Sequence, residues 1–516
     1  MLTGGYASIL CDRLLIQMLV RILRSLFSSR ANRDDNSIAA MRSRATRMHR
    51  EGRFPEAEIA YSVLLERWPD DSQALFYLGV ACRQQGRLDE AFRHCHRALE
   101  LAPGNPEWIT SVGNLAAGLG KDEGVEACER RVIENADLAT WLALGNALRE
   151  AGRTREAEDA YRRCLEFAPT SPFAMRRLGS LLALSGRHDE ADACFQISAR
   201  AGLAPDPLMR LSGEFLSALE RDRDRLLAGL PAMEGEWGNT RASIVVFACC
   251  DAVYFRKFAW ALCSSTLRNA GLDCLVHIHV VNPEPTLHAE MERLRTGLGA
   301  GRIACTWEYT PLPEDDSAKT YYACARFLHL PRVIERYARP VLALDMDLLV
   351  VGGLDLVTQA AGDNDLAIIR WHETRWEPWE YFYATALLLR ATPGTLSILQ
   401  RVTLFVRHFL LRAERIWLLD QIALFAAIEC WPGRDPRERV GLLPPALAML
   451  YGFHERPDEI PAGVVFWVVG YSLKANREAL TRRPFTDYLP QDQDAQPGGP
   501  MLQSAGVDLP RQPPGD

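Results

Sequence analysis

Cys-x-x-Cys pairs are absent from this sequence of 516 residues, and its 13 cysteines are scattered and odd in number. This usage argues against a disulfide framework and is typical of buried thiols in a reducing cytosol. No strand-like segment is followed by Gly-x-Gly-x-x-Gly or a Walker-type loop, so neither a dinucleotide-dependent dehydrogenase nor a P-loop enzyme is supported. The formal net charge is -7, which gives no electrostatic case for nucleic-acid binding.

A long uninterrupted apolar run is also missing. Residues 14–27 are mostly apolar, but Gln17, Arg21 and Arg24 interrupt them. The segment is therefore too short and too charged to span a bilayer, and without a small-residue cleavage site we expect no signal peptide. In a helix these polar residues share one stripe. The apolar surface of residues 10–28 then either lies in a membrane interface or covers a neighbouring helix.

A start at Met18 or Met41 is a further alternative for this end of the chain. The expected location is cytoplasmic, and peripheral membrane contact through the N-terminal helix stays open.

A motif of the form Gly-Arg-x-x-Glu-Ala recurs along the first half of the chain. Its copies begin at Gly52, Gly86, Gly152 and Gly186, and the first and last pairs are each 34 residues apart. The glycine allows a tight turn after a first helix, and Pro69 and Pro103 then end the second helix. Recurrence at this period predicts stacked helix pairs.

These residues resemble the tetratricopeptide repeat family over about residues 37–205. The resemblance implies an α solenoid of roughly five repeats whose concave face binds a peptide or a partner protein. A role as a spacer or dimerisation arm is the open alternative.

Five segments follow from composition and periodicity. They are an amphipathic N-terminal helix and linker (1–36), the repeats (37–205), a capping helix and linker (206–240), an α/β domain (241–490) and a tail (491–516). The tail is rich in Pro, Gln, Gly and Asp and lacks apolar periodicity, which predicts disorder.

The α/β prediction rests on strands that alternate with helices. The predicted strands are 243–248, 276–281, 302–309 and 341–351, and a helix over 321–337 is expected to break at Pro331. Alternation of this kind predicts a mainly parallel sheet with helices on both faces.

Asp345 and Asp347 interrupt the last of these apolar runs. Because a buried carboxylate without a partner is costly, we expect both acids where the strand leaves the core. Their spacing points them to one side of an extended chain, where they can hold a divalent metal and, through it, a diphosphate. Ligands in such sheets bind at the carboxyl ends of strands, where Asp251 would also fall. A surface turn or strand-end salt bridges are the alternative.

Further motifs occur in a fixed order with this one. They are Ala248-Cys-Cys-Asp251-Ala-Val-Tyr254, Thr320-Tyr-Tyr322 leading to Arg326, Leu344-Asp345-Met-Asp347, Trp417-Leu-Leu-Asp420-Gln421, and Val464 to Gly470 with Lys474. Together they resemble glycogenin-like retaining glycosyltransferases of the GT-A fold, over about residues 242–476.

The resemblance implies a metal-dependent transfer of sugar from a nucleotide-diphospho-sugar, a UDP-sugar first, to a protein or glycan acceptor. The segment at Ala248, with Asp251 and Tyr254, would contact the nucleotide. Asp345 would contact the ribose or the metal, and Asp347 would ligate Mn²⁺ or Mg²⁺.

The same resemblance implies the residues nearest the reaction. Arg326 would stabilise the diphosphate leaving group as a fixed cation, and Lys474 would hold a phosphate. Asp420 and Gln421 would line the donor sugar.

Some positions depart from the family's pattern. Trp467 stands where the family has a metal-binding His, Ile422 replaces the second Asp of the D-Q motif, and Lys474 lies one position late. His454 is an alternative ligand on the preceding loop. The alternative function is a non-catalytic repeat scaffold that carries a degenerate transferase domain. A repeat-fused transferase of two Rossmann domains is disfavoured because too few residues remain.

Overall fold

The computed structural model describes residues 37–134, 136–238, 241–313, 318–370, 377–412, 414, 416–449, 462–468 and 485–489. The predictions for the N-terminal helix (10–28), His454, Lys474 and the tail (491–516) lie outside these residues. The chain divides into two compact units, of which the first ends at Leu178 and the second begins at Gly179. Among the described residues, no helix is both long enough and apolar enough to cross a membrane.

Consecutive helices build the first unit. They are α1 (Ile38–Arg50), α2 (Phe54–Arg67), α3 (Ser72–Gln84), α4 (Leu88–Leu101), α5 (Pro106–Leu119), α6 (Asp122–Glu134), α7 (Leu138–Glu150), α8 (Thr154–Phe167) and α9 (Pro172–Leu184), which runs across the boundary between the units.

The repeated glycines end the first helix of each pair, as the sequence predicts. Gly52 follows α1 with a φ of +73°, a conformation in which a side chain would be strained. The Gly52 N–H donates to the carbonyl of His49 at 3.0 Å, and the Arg53 N–H donates to that of Met48 at 3.0 Å. These bonds satisfy the last carbonyls of α1 and turn the chain into α2.

A second set of glycines lets the helices approach one another. A Cβ atom on Gly113 of α5 would lie 2.0 Å from the Cβ of Ala147 on α7. The buried aromatic rings of Phe76 and Trp108 stack 5.2 Å apart between neighbouring pairs. The core of the first unit is therefore built from small residues at the crossings and aromatic rings between them.

The second unit begins with helices and continues with the first strands. Its first elements are α10 (His188–Ala199), α11 (Gly213–Arg221), α12 (Arg223–Leu227), β1 (Glu234–Glu236), β2 (Ile244–Cys250), α13 (Ala252–Asn269), β3 (Cys274–Val281), α14 (Pro285–Leu298), β4 (Ile303–Glu308) and α15 (Ala318–Tyr337). The remaining elements are β5 (Val341–Leu344), β6 (Leu348–Val350), α16 (Leu354–Ala361), β7 (Leu366–Arg370), β8 (Phe382–Leu389), α17 (Pro393–Leu411), α18 (Leu419–Phe425), β9 (Val440–Leu443), β10 (Ala448–Met449) and β11 (Phe466–Val468).

The large sheet has the strand order β1-β4-β3-β2-β5-β8-β7-β9. Strands β4, β3, β2 and β5 are parallel, whereas β8 is antiparallel to both β5 and β7, and β1 is antiparallel to β4. Strands β7 and β9, at the other edge, are again parallel. The sheet is thus mixed, and the prediction of a mainly parallel sheet holds for the four strands β4, β3, β2 and β5 but not for the sheet as a whole. Short apolar runs indicate that a strand is buried but do not indicate its direction.

The prediction of one continuous strand over 341–351 is wrong. Strand β5 ends at Leu344 in the large sheet, and β6 begins at Leu348 in a small sheet of order β10-β11-β6. The Asp345 N–H still donates to the carbonyl of Thr385 on β8, at 2.9 Å, before the chain turns through Met346 and Asp347. The two acids therefore occupy the crossing between two sheets, where the backbone is not extended.

Helix α15 is continuous, so the expected break at Pro331 is also wrong. Proline has no N–H for the carbonyl of Phe327, four residues earlier. The hydroxyl of Thr403 on α17 lies 2.9 Å from that carbonyl and donates to it. A neighbouring helix thus supplies the bond that the proline removes.

Candidate functional site

The centre of the large sheet brings two of the predicted acids to one edge. Strand β2 lies between β3 and β5, and Ala248 pairs with Leu344 across parallel strands. The chain runs from β2 outward to β4 and then returns beside β2, so β2 and β5 flank a topological switch point. Asp251 and Asp345 follow the carboxyl ends of these neighbouring strands.

Asp251 is the N-cap residue of α13. Its Oδ1 accepts a hydrogen bond from the Tyr254 N–H at 2.7 Å. Burial raises the pKa of Asp251, and the N–H of Tyr254 partly opposes that shift. Burial also raises the pKa of Tyr322 on α15, and the charge of Asp251 adds to the effect. Asp251 thus has a structural role as a cap beside Tyr322.

Arg326 joins two of the predicted acids. Its Nη1 lies 2.6 Å from Oδ1 of Asp345, and its Nη2 lies 3.3 Å from Oδ2 of Asp420. The side chain of Arg326 is 5% exposed, that of Asp420 is 11% exposed, and that of Asp345 is 37% exposed. Residues from α15, the end of β5 and the start of α18 therefore meet at one guanidinium.

Two carboxylates share this one cation. Burial raises the pKa of Asp420, Arg326 opposes that shift, and the charge of Asp345 adds to it. Burial alone would lower the pKa of Arg326, but the two carboxylates raise it. With all three groups ionised, the cluster carries one excess negative charge. Asp345 is the member of the cluster that is most exposed to solvent.

The backbone before Asp420 is unusual. Leu418 has a φ of +78°, which is rare for a residue with a branched side chain. Oδ1 of Asp420 accepts a hydrogen bond from the Gln421 N–H at 2.9 Å, so the start of α18 holds the carboxylate. Trp417, just before it, is 54% exposed.

The other predicted site residues have different surroundings. Asp347 lies in the turn after Asp345 and is 5% exposed, while Ala248 is buried within β2 and can offer only its backbone. Gln421 is half-buried. The ring of Tyr254, also half-buried, lies 5.2 Å from that of Phe258.

Trp467 is part of the apolar core. It lies on β11 opposite Leu349 of β6 and is 4% exposed. The position at which the resemblance implies a metal-binding His is thus filled by a ring that packs among apolar side chains.

The sequence motifs missed a polar cluster in the same domain. His279, Glu308 and His329 are fully buried, and their ligand atoms lie within 4.8 Å of one another. Burial, with a contribution from His329, lowers the pKa of His279 to about 4. Burial also raises the pKa of Tyr321, whose protonated hydroxyl donates to Glu308 at 2.7 Å. Histidines two residues apart in an otherwise apolar strand were the available signal.

Tetratricopeptide repeat family models match residues 50–106 and 138–181. The prediction of tetratricopeptide repeats in the N-terminal region is therefore confirmed for these two segments. No curated protein matches the chain.

Solved repeat proteins resemble part of the chain. A crystal structure of MamA is 21% identical, covering 30% of this chain and 92% of that chain at a TM-score of 0.26. Pseudomonas aeruginosa pilF is 17% identical, and the match covers 37% of this chain and 87% of pilF at a TM-score of 0.30. The type IV pilus biogenesis factor PilW is 20% identical, and the match covers 39% of this chain and 94% of PilW at a TM-score of 0.29.

Proposed function

We propose that the chain is a metal-dependent glycosyltransferase of the GT-A type that takes a nucleotide-diphospho-sugar, a UDP-sugar first. The observation that carries the proposal is the contact of Arg326 with both Asp345 and Asp420. These residues come from three separate sequence motifs, and they meet beside the switch point of the sheet, where α/β domains bind ligands.

The acids suit a hard cation that arrives with its substrate. Mg²⁺ is commonly held by one or two carboxylates together with substrate phosphates, and Asp345 and Asp347 offer such oxygen ligands. Bound there, Mn²⁺ or Mg²⁺ would neutralise charge on the diphosphate as the sugar bond breaks. The excess negative charge of the Arg326 cluster favours the arrival of a cation.

Arg326 and Asp420 have separate roles in this proposal. Arg326 holds Oδ1 of Asp345 and so sets the direction of that carboxylate, and its buried guanidinium stabilises the leaving diphosphate. The helix start at Gln421 fixes Asp420, whose charge stabilises the positive charge that develops on the sugar. The tetratricopeptide repeats recruit a protein or glycan acceptor, or a protein partner, along an extended helical surface.

A non-catalytic scaffold with a degenerate transferase domain is the second candidate. Trp467 favours it, because the position implied for a metal-binding His lies in the apolar core. The cap formed by Asp251 also favours it, because this carboxylate already has a structural partner in the Tyr254 N–H.

A donor-binding screen separates the two candidates. The full-length protein is heated with a panel of UDP- and GDP-sugars, with and without Mn²⁺, and its Tm is measured. A bound donor stabilises the folded state by about 2.7 kcal/mol at 100 times its Kd, so at least one donor should raise the Tm only with Mn²⁺. Donor hydrolysis and transfer are then measured with that donor.

Matched variants test the site itself. Asp345→Asn and Asp347→Asn should lose the Mn²⁺-dependent shift, whereas Asp363→Asn, at an exposed position of the same domain, should retain it. Absence of a shift and of turnover with every donor would favour the scaffold.

A further inference from the structure

Two strands and a helix bring three potential metal ligands together inside the second unit. His279 lies on β3, Glu308 ends β4 and His329 lies in the middle of α15. Each is 0% exposed, although the strands around them are almost wholly apolar. Burying a carboxylate between two imidazoles is costly unless the groups bind one another or a common partner.

Both imidazoles face the same oxygen of Glu308. Nε2 of His329 lies 2.5 Å from Oε2, and Nε2 of His279 lies 3.7 Å from it. The Tyr321 hydroxyl donates to the other oxygen, Oε1, at 2.7 Å. Tyr321 therefore orients the carboxylate so that Oε2 and the two Nε2 atoms converge.

Thr306 orients the ring of His279. Its hydroxyl lies 2.9 Å from Nδ1 of His279 and 2.8 Å from Nε2 of His277. The hydroxyl of Tyr337 lies 3.1 Å from the remaining nitrogen of His277. This chain of polar groups fixes the ring and directs its Nε2 toward Glu308.

Two ring nitrogens in this arrangement lack a hydrogen-bond partner among the described residues, namely Nε2 of His279 and Nδ1 of His329. Nε2 of His279 is fully buried and has no hydrogen-bond partner among the described residues, since 3.7 Å to Glu308 exceeds a hydrogen-bond distance. A buried polar atom without a hydrogen-bond partner destabilises the folded state. A cation between the two rings and Oε2 would provide a partner for Nε2 of His279.

We propose that His279, Glu308 and His329 bind a divalent transition metal, Zn²⁺ first, at a site separate from Asp345 and Asp347. Two imidazoles and one carboxylate form a donor set that suits Zn²⁺, and the three atoms already converge. Thr306 and Tyr321 give His279 and Glu308 the outer hydrogen bonds that metal ligands usually have, whereas Nδ1 of His329 has no such bond among the described residues. The proposal is independent of the transferase proposal, because none of these residues belongs to that site.

Small movements bring the two histidine–Glu308 distances to those of coordination. At zinc–ligand distances of about 2.0–2.1 Å, tetrahedral ligands lie about 3.3 Å apart. The 2.5 Å contact between His329 and Glu308 would open, and the 3.7 Å separation of His279 would close slightly.

The metal content of the full-length protein tests the proposal. The protein is loaded with Zn²⁺, dialysed, and measured by inductively coupled plasma mass spectrometry. We expect about one Zn²⁺ per chain, and the Co²⁺-substituted protein should have the intense visible absorption of tetrahedral coordination. Wild-type protein that retains no metal would overturn the proposal and leave a hydrogen-bonded network.

Variants then locate the metal. Glu308→Gln and His329→Gln should lose it, whereas Asp345→Asn and the partly exposed His288→Gln should retain it. Thr306→Val keeps the ligands and should weaken Zn²⁺ binding by roughly 10–100-fold. If the ligand variants fold poorly, the Zn²⁺ affinity of Thr306→Val tests the proposal instead. An affinity equal to that of the wild type would contradict the assigned geometry.

Discussion

The guanidinium of Arg326 lies 3.3 Å from the carboxylate of Asp420, although the two residues are 94 positions apart. Arg326 also contacts Asp345, so its removal would leave Asp420 buried without a cation. Breaking a buried ion pair from one side typically costs about 3–5 kcal/mol.

Arg326→Ala should therefore lower the free energy of unfolding by about 3–5 kcal/mol in urea denaturation. Arg326→Lys, which keeps the charge but not the two-pronged geometry, should lose less. Arg437→Ala is the control, because Arg437 pairs with Asp435 on the surface and its side chain is 88% exposed. Equal stability of Arg326→Ala and the control would contradict a buried bridge.

The continuity of α15 predicts an effect at Thr403. Thr403→Val keeps the shape of the side chain but leaves the carbonyl of Phe327 without its donor. We expect a loss of about 1–3 kcal/mol in the free energy of unfolding. Thr296→Val, at an exposed position on α14, should change little. Because the Thr403 hydroxyl is also 2.9 Å from the Leu399 carbonyl, an unchanged stability would mean that it does not serve Phe327.

His408 predicts a pH dependence of stability. Its ring packs edge-on against Phe215, with a distance of 4.9 Å between ring centroids. Burial lowers its pKa to about 4, the cations Arg412, Arg210 and Arg225 add to the effect, and Asp222 opposes it. Because the pKa of His408 in the folded state lies below the ordinary value of 6.5, protonation of its ring opposes folding. The folded state is therefore unaffected by this group above pH 6.5 and loses stability as the pH falls toward 4.

His408 is only half-buried, so solvent screens part of this effect, and relative to His408→Gln the wild type should lose on the order of 1 kcal/mol of stability between pH 6.5 and pH 4. Urea denaturation of both proteins at several pH values measures the difference. Parallel curves across this window would contradict the prediction.

Two glycines of α5 predict opposite effects of the same substitution. Gly113→Ala would place a methyl group 2.0 Å from the Cβ and 3.0 Å from the Cα of Ala147, so the helices must separate. A loss of about 1–3 kcal/mol is expected. The exposed Gly118 has nothing within 4 Å of its added Cβ, so Gly118→Ala should gain about 0.5–1 kcal/mol. Far-UV circular dichroism during urea denaturation measures both, and a similar effect of the two substitutions would contradict the close approach of α5 and α7.

The repeats could be predicted from the sequence because each helix pair is local. The turn glycines and the prolines restrict the backbone only at their own positions, and the same residues recur with a period of 34 residues. The alternating strands and helices of the second half could be predicted for the same reason. Transferase activity, its donor and its metal stay predictions that no comparison tests.

Only the tertiary structure shows which residues far apart in the sequence contact one another. Three features depend on a partner far along the chain. They are the direction of β8, the turn between Asp345 and Asp347, and the hydrogen bond from Thr403 that replaces the one Pro331 cannot make. Local periodicity determines which residues are helical or extended, because backbone propensity and burial act over a few residues. Which charge meets which, as at Arg326 or between His279 and Glu308, is set only when the sheet and its helices pack.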